Sequence, residues 1–289
     1  MKFVSFRAEG TDRYGVVIDE AVVDLSARQD DYPTLRTAIA GRALSRLGES
    51  AIGASPDFAL NDIVFQLPIP QPSKILCVGV NYANRAEEYA SRIKESQYPN
   101  IFLRTAQSFT GHKQPLIRPV QSDQLDYEGE IALIIGQPGR MIERDTALAH
   151  VAGLTVANEG TIRDWTKHGA RNSAGGKNFD ASGSIGPWME TEALKTKAPL
   201  SIKTRVNDEL RQDDSTANII YPFDLIISYI SQFTELLPGD IILTGTPTGA
   251  GTRFDPPRYL KPDDILCIEV SGVGTLINPV HEPGRKIHN

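Results

Sequence analysis

DYEGEIALIIG, residues 126–136, is the stretch from which the fold is read. Ile131 to Ile135 form an apolar run far too short to span a membrane as a helix, and the run suits a strand. Residues two apart on a strand share a face, so Glu128 and Glu130 lie about 6.5 to 7 Å apart at Cα with both carboxylates aimed at one point. Two like charges held together call for a cation. A strand entering from solvent with its polar side wet would carry the same pattern.

Outward from this stretch, most segments are short apolar runs broken by Gly and Pro: KILCVGV, LTVANE, SIKTRVN, DIILTG, DILCIEV and VGTLIN. Two helical segments interrupt them. Tyr221 to Leu237 shows an apolar face of Phe223, Ile226, Ile227, Ile230 and Phe233, whereas Ala83 to Ile93 is polar enough to be a surface helix or a mobile lid over a ligand. Strands joined by irregular connections predict a β-rich α+β fold and disfavour alternating βαβ units. Before the Pro-rich joint QLPIPQPSK, a hairpin (KFVSF with YGVVIDEAVVDLS) and a helix from Leu35 to Leu47 make a small N-terminal α/β domain, residues 1–66. The larger domain takes residues 67–289.

The 289 residues carry 30 Lys and Arg against 36 Asp and Glu, a formal charge of −6 that argues against a nucleic-acid partner. The chain is long enough to bury a substantial core. No apolar run reaches the ~20 residues of a spanning helix, and charges interrupt the opening segment before it can form a secretion signal. Cys77 and Cys267 sit in strand-like stretches, as buried reduced thiols would, which fits the cytoplasm.

Familiar motifs fail. GTPTGAG, residues 245–251, lacks the GxGxxG spacing and runs into prolines instead of a helix, and Gly176-Lys177 lacks the earlier glycine of a phosphate loop. There is no GxSxG, HExxH or paired CxxC. The segment VANEGTIRDWTKHG is more informative. A short helix from Asn158 would align Glu159, Arg163 and Thr166 on one face and leave His168 opposite. Glu159 then either pairs with Arg163 or supplies a third oxygen to a metal. An all-carboxylate set selects a hard dication, Mg²⁺ first, with Mn²⁺ or Ca²⁺ as alternatives.

KILCVGVNY, DYEGEIALIIG, the run from Val156 to Arg163, GKNFD (176–180), IGPW (185–188) and GDIILTGTP together resemble the fumarylacetoacetate hydrolase superfamily, in order, over residues 73 to 279. That resemblance implies a β-roll catalytic domain with a small N-terminal cap, assembled as a homodimer. It places Glu128, Glu130 and Glu159 on the metal positions, although Glu159 stands where NDxSxRD more often has Asp. It gives Lys177 an active-site role beside the substrate carboxylate or oxyanion, makes Arg104 a bidentate carboxylate clamp, and counts Tyr82, Arg85, Arg163 and Thr246 as substrate-binding.

One departure bears on the reaction. Arg85 occupies the place of the usual lid histidine, with Glu88 in its partner's place, and Arg stays protonated at neutral pH. Three accounts stay open: Glu88 is the base, His112 of TGHKQP enters from a neighbouring loop, or the reaction needs no activated water. The implied substrate is a short 2-oxo acid. Hydrolysis of a C–C bond in an acylpyruvate such as fumarylpyruvate or fumarylacetoacetate is the first expectation. Decarboxylation of an oxaloacetate-like diacid and isomerisation of a 2-hydroxymuconate-type or 2-hydroxyhepta-2,4-dienedioate acid are alternatives, and a silent metal and organic-acid binder is the reading from another class.

Overall fold

The computed structural model describes residues 1–28, 30–87, 97–169, 173–196 and 198–284. Strands dominate, as the short apolar runs predict. A twelve-stranded mixed sheet has Gly129–Ile135 near its middle, between Val151–Asn158 and Ile241–Leu243. Beyond Ile241–Leu243 the sheet continues through Ile75–Val78, paired parallel, to the edge strand Ile101–Arg104. A second, five-stranded sheet runs Glu209–Ser215, Ser201–Val206, Ile265–Val270, Gly274–His281, Leu116–Ile117.

The apolar run of Ile131 to Ile135 is explained by burial on both faces. Ile131, Leu133 and Ile135 pack toward Ile202, Leu266, Ile268 and the helix Phe223–Phe233 through Ile226, Ile227 and Ile230. Ala132 and Ile134 pack on the other side with Phe3, Val16, Leu35, Ile39 and Leu47. Phe223–Phe233 is shorter than the sequence suggests, with Pro222 at its N-cap, and Phe233 is exposed at its end instead of joining the buried stripe.

The N-terminal hairpin forms from Lys2–Ala8 and Thr11–Ile18, but the expected helix over Leu35 to Leu47 divides at Gly41 and Arg42 into Leu35–Ala40 and Leu44–Ala51. Arg42 has a positive φ of 54°, a conformation that ends a helix. The sheet crosses the Pro-rich joint: Lys2 and Phe3 pair with Glu190 and Met189 of Gly183–Glu190. Both thiols are unpaired, Cys77 buried and Cys267 half-buried. Among the described residues no helix is long and apolar enough to cross a membrane.

Candidate active site

Ile75–Val78, Ile241–Leu243 and Val151–Asn158 all run toward one end of the large sheet, where Gly129–Ile135 begins. The residues just past those ends build the site. Glu128 and Glu159 are tied through backbone: the Glu159 amide donates to the Glu128 carbonyl at 2.8 Å, and the Glu128 amide donates to Asn158 Oδ1 at 3.0 Å. Glu130 is two residues on, with its Oε2 accepting the Gly245 amide at 2.7 Å. Gly245 has a φ of +97°, and a Cβ there would meet the Asn81 Cβ at 2.6 Å, so glycine is required. The glycine-rich loop therefore serves a carboxylate, not a phosphate.

Glu128, Glu130 and Glu159 are all buried, and one oxygen from each lies within 4.8 Å of the others. They line a cavity of about 140 Å³ together with Val78, Gly79, Val80, Arg85, Phe102, Arg163, Lys177 and Thr246. A larger hollow of about 450 Å³ lies against Leu35–Ala40, but it gathers no such cluster of ionisable groups.

The three carboxylates are not equivalent. Burial alone would raise the Glu128 pKa, yet Arg163, Lys177 and Arg85 hold it well below the ordinary carboxylate value. Its Oε1 accepts from Arg163 at 2.6 Å and Arg85 at 3.1 Å; its Oε2 accepts from Lys177 at 2.6 Å and from the Thr161 hydroxyl at 3.3 Å. Glu130 goes the other way: burial, then repulsion from Glu159 and Glu128, pushes its pKa well above the usual range. Burial raises Glu159 too, with Lys177 opposing the shift and Glu128 adding to it. Glu130 Oε1 and Glu159 Oε2 receive no hydrogen bond from the described residues. Two under-neutralised carboxylates beside a third, with no sulfur or imidazole, fit a hard dication.

The expected helix at Asn158 does not form. Strand Val151–Asn158 runs straight to Glu159, and Thr161–Ile162 then pairs with Leu125–Asp126. Arg163 consequently faces Asp126 Oδ2 and Glu128 Oε1, each at 2.6 Å, not Glu159. His168 packs on the Trp165 ring.

Arg104 is the second correction. All five of its N–H groups are taken, by Ser108 Oγ and its carbonyl, the Gly160 carbonyl, Ser182 Oγ and, at 3.4 Å, Glu159 Oε1. The guanidinium lies 4.1 Å from the Phe109 ring centroid. No donor remains to clamp a substrate carboxylate; Arg104 positions Glu159.

Two further residues stay away from the cavity. His112 is buried edge-on against Phe65, its Nδ1 accepting the Ile277 amide at 3.1 Å, so it does not enter from a loop to act as base. Tyr82 lies in the core, bridged to Ile219, and its hydroxyl is buried with no partner among the described residues. Lys177, Arg85, Arg163 and Thr246 do line the cavity. Glu88 and the rest of the predicted lid, beyond the helix Ala83–Glu87, fall outside the described residues.

Sequence reasoning passed over the supports. Asp126 holds Arg163 and accepts the Gly251 and Thr252 amides. Gln212 accepts the Gly129 amide at 2.9 Å and donates to Thr246 Oγ1 at 2.9 Å. It stands on the polar strand Glu209–Ser215, whose hairpin turn, Asn207-Asp208, with both φ positive, was the available signal.

A buried oxygen-only cluster of three carboxylates at the end of a β-rich roll is a site that could hold a divalent metal ion. The family model described as fumarylacetoacetate (FAA) hydrolase C-terminal matches residues 74–281, and the chain belongs to that family. The rat protein named oxaloacetate tautomerase Fahd2a, mitochondrial, is 33% identical over 288 residues, covering 97% of this chain and 91% of its own length. A 2-hydroxyhepta-2,4-diene-1,7-dioate isomerase from Mycobacterium marinum superposes with a TM-score of 0.75 at 27% identity, covering 99% of this chain and 100% of its own. A maleylpyruvate hydrolase from Sphingobium sp. SYK-6 gives 0.80 at 26% identity, covering 98% and 100%.

Proposed function

We propose that the protein is a Mg²⁺-dependent tautomerase of a short 2-oxo diacid of the oxaloacetate type, interconverting its enol and keto forms. The observation that carries this reading is Arg85 on Glu128, where a base able to activate water would otherwise stand. Enol–keto exchange needs charge stabilisation and a proton shift but no attacking water, so it suits a cavity lined by cations better than hydrolysis does. The names of the rat relative and of the M. marinum isomerase support the same choice over the hydrolytic one.

Glu128, Glu130 and Glu159 would hold the ion, which when bound supplies Lewis acidity to the 2-oxo group. Lys177, its pKa lowered by burial but raised more by Glu128 and Glu159, stays an ammonium and faces negative charge developing on the substrate oxygen. Phe102 and Val78 form apolar wall. The cavity is small against the roughly 300–1,000 Å³ of drug-sized pockets, which favours a short acid.

The test follows ultraviolet loss of enol-oxaloacetate above its spontaneous rate, with Mg²⁺, after EDTA and in Glu130→Gln, with products identified. EDTA and E130Q should each abolish the enzymic rate. Pyruvate and CO₂ as products would turn the reading to decarboxylation, cleavage of an acylpyruvate would turn it to hydrolysis, and a rate indifferent to EDTA would refute it.

A further inference from the structure

Glu128 is crowded by cations. Arg85 and Arg163 both donate to its Oε1 and Lys177 donates to its Oε2, while the single proton of the Thr161 hydroxyl is shared between Oε2 at 3.3 Å and the nearer Glu159 carbonyl at 3.1 Å. If the acidic trio seats a metal, as the functional reading above requires, the arriving ion competes with the cations already on Glu128. Arg163 is pinned from behind by Asp126 at 2.6 Å, and Asp126 is itself fixed by the Tyr127, Gly251 and Thr252 amides. Arg85 is 2% exposed and acts on Glu128 alone of the trio. Thr161 makes the longest of the four contacts, and the Glu159 carbonyl, at 3.1 Å, is the nearer acceptor for its one proton.

Lys177 differs from the others in bridging two members of the trio. Its Nζ lies 2.6 Å from Glu128 Oε2 and 3.0 Å from Glu159 Oε1. An ion gripped by both carboxylates competes with the ammonium that already joins them. Lys177 also has the freedom to go: it ends the single turn Ala174–Lys177 and carries an unbranched stem with a point charge, unlike the forked guanidiniums.

We infer that Lys177 is a built-in counter-ion that bridges Glu128 and Glu159 until a divalent ion displaces it, so that metal loading delivers the ammonium to the incoming acid. Metal and guest then bind cooperatively. The guest takes up the displaced charge, and the ion alone binds at the expense of the Lys177 bridge.

Calorimetry with Mg²⁺ alone on the full chain, Lys177→Met, Arg85→Met and Thr161→Val tests this without turnover. Removing any nearby cation favours a dication through space, so R85M measures that general effect. K177M should bind Mg²⁺ about tenfold tighter than R85M, T161V should match the parent, and oxalate should tighten Mg²⁺ less in K177M than in the parent. A direct readout is acylation of Lys177 by an amine-reactive ester, followed by mass spectrometry, which Mg²⁺ should accelerate several-fold. Equal gains in K177M and R85M, or Lys177 labelling unchanged at saturating Mg²⁺, would overturn the exchange. If none of the proteins binds Mg²⁺, the metal seat itself falls and the exchange with it. Failure to tautomerise oxaloacetate alongside intact Mg²⁺-for-lysine exchange would sink only the choice of substrate.

Discussion

Arg104→Lys separates a clamp from a positioning residue. The parent guanidinium satisfies acceptors on Ser108, Gly160, Ser182 and Glu159 with five N–H groups, and it is 4% exposed. Lysine keeps the charge but offers three donors, so at least two buried contacts are lost. A buried acceptor stripped of its donor costs about 1–3 kcal/mol, and the two serine hydroxyls can turn to other partners, which places the expected loss at about 2–4 kcal/mol. Urea denaturation of the metal-free protein should show a lower midpoint at unchanged slope. At saturating Mg²⁺, KM for the 2-oxo acid should move less than threefold, because no N–H of the parent faces the cavity. A variant as stable as the parent whose KM rises tenfold or more would restore the clamp and refute the assignment.

Burial, then Lys113, lowers the His112 pKa from 6.5 to about 4, and its Nδ1 already accepts the Ile277 amide, so the proton cannot be taken up there without breaking that bond. Below pH 6.5 the unfolded chain binds a proton that the folded one refuses, so this stability is present above pH 6.5 and is lost as pH falls toward 4; the parent should lose about 3 kcal/mol more than His112→Asn between pH 7 and 4, and parallel stability–pH curves would contradict this. Gly245→Ala forces a side chain into a positive-φ position against Asn81 and shifts the amide off Glu130, so it should cost about 2–3 kcal/mol and weaken Mg²⁺ binding, whereas parent-like melting and calorimetry would count against the loop's role.

The sheet was legible wherever an element's own composition decides it. KILCVGV, EIALIIG and DIILTG lie in the interior of the large sheet, where burial on two faces leaves a continuous apolar signature. Glu209–Ser215 was illegible for the opposite reason: it is the edge of the five-stranded sheet, its residues are mostly polar, and its register comes from pairing with Ser201–Val206. The segment after Asn158 fails differently. Glu159, Arg163 and Thr166 do fall at helical spacing, but three polar residues in eight positions are a weak periodic signal, and pairing of Thr161–Ile162 with a segment some 36 positions upstream outweighs it.

At the site, the residue types were legible and their pairings were not. Period-two geometry is local, so Glu128 and Glu130 could be placed together from the sequence, and their long strand carries them to where Glu159 ends its neighbour. Charge partners are not local. Nothing in FLRT tells that Ser108, Gly160 and Ser182 converge on Arg104, and a clamp and a saturated buried guanidinium have the same sequence. The same holds for Lys177 in GKNFD, where only the folded distances reveal that one ammonium spans two of the three acids. A motif therefore names the charges in such a site, and the fold decides which of them are already spent on each other and which remain for a ligand; among the described residues the unspent ones are Glu130 Oε1 and Glu159 Oε2, the two oxygens from which a metal seat would be built first.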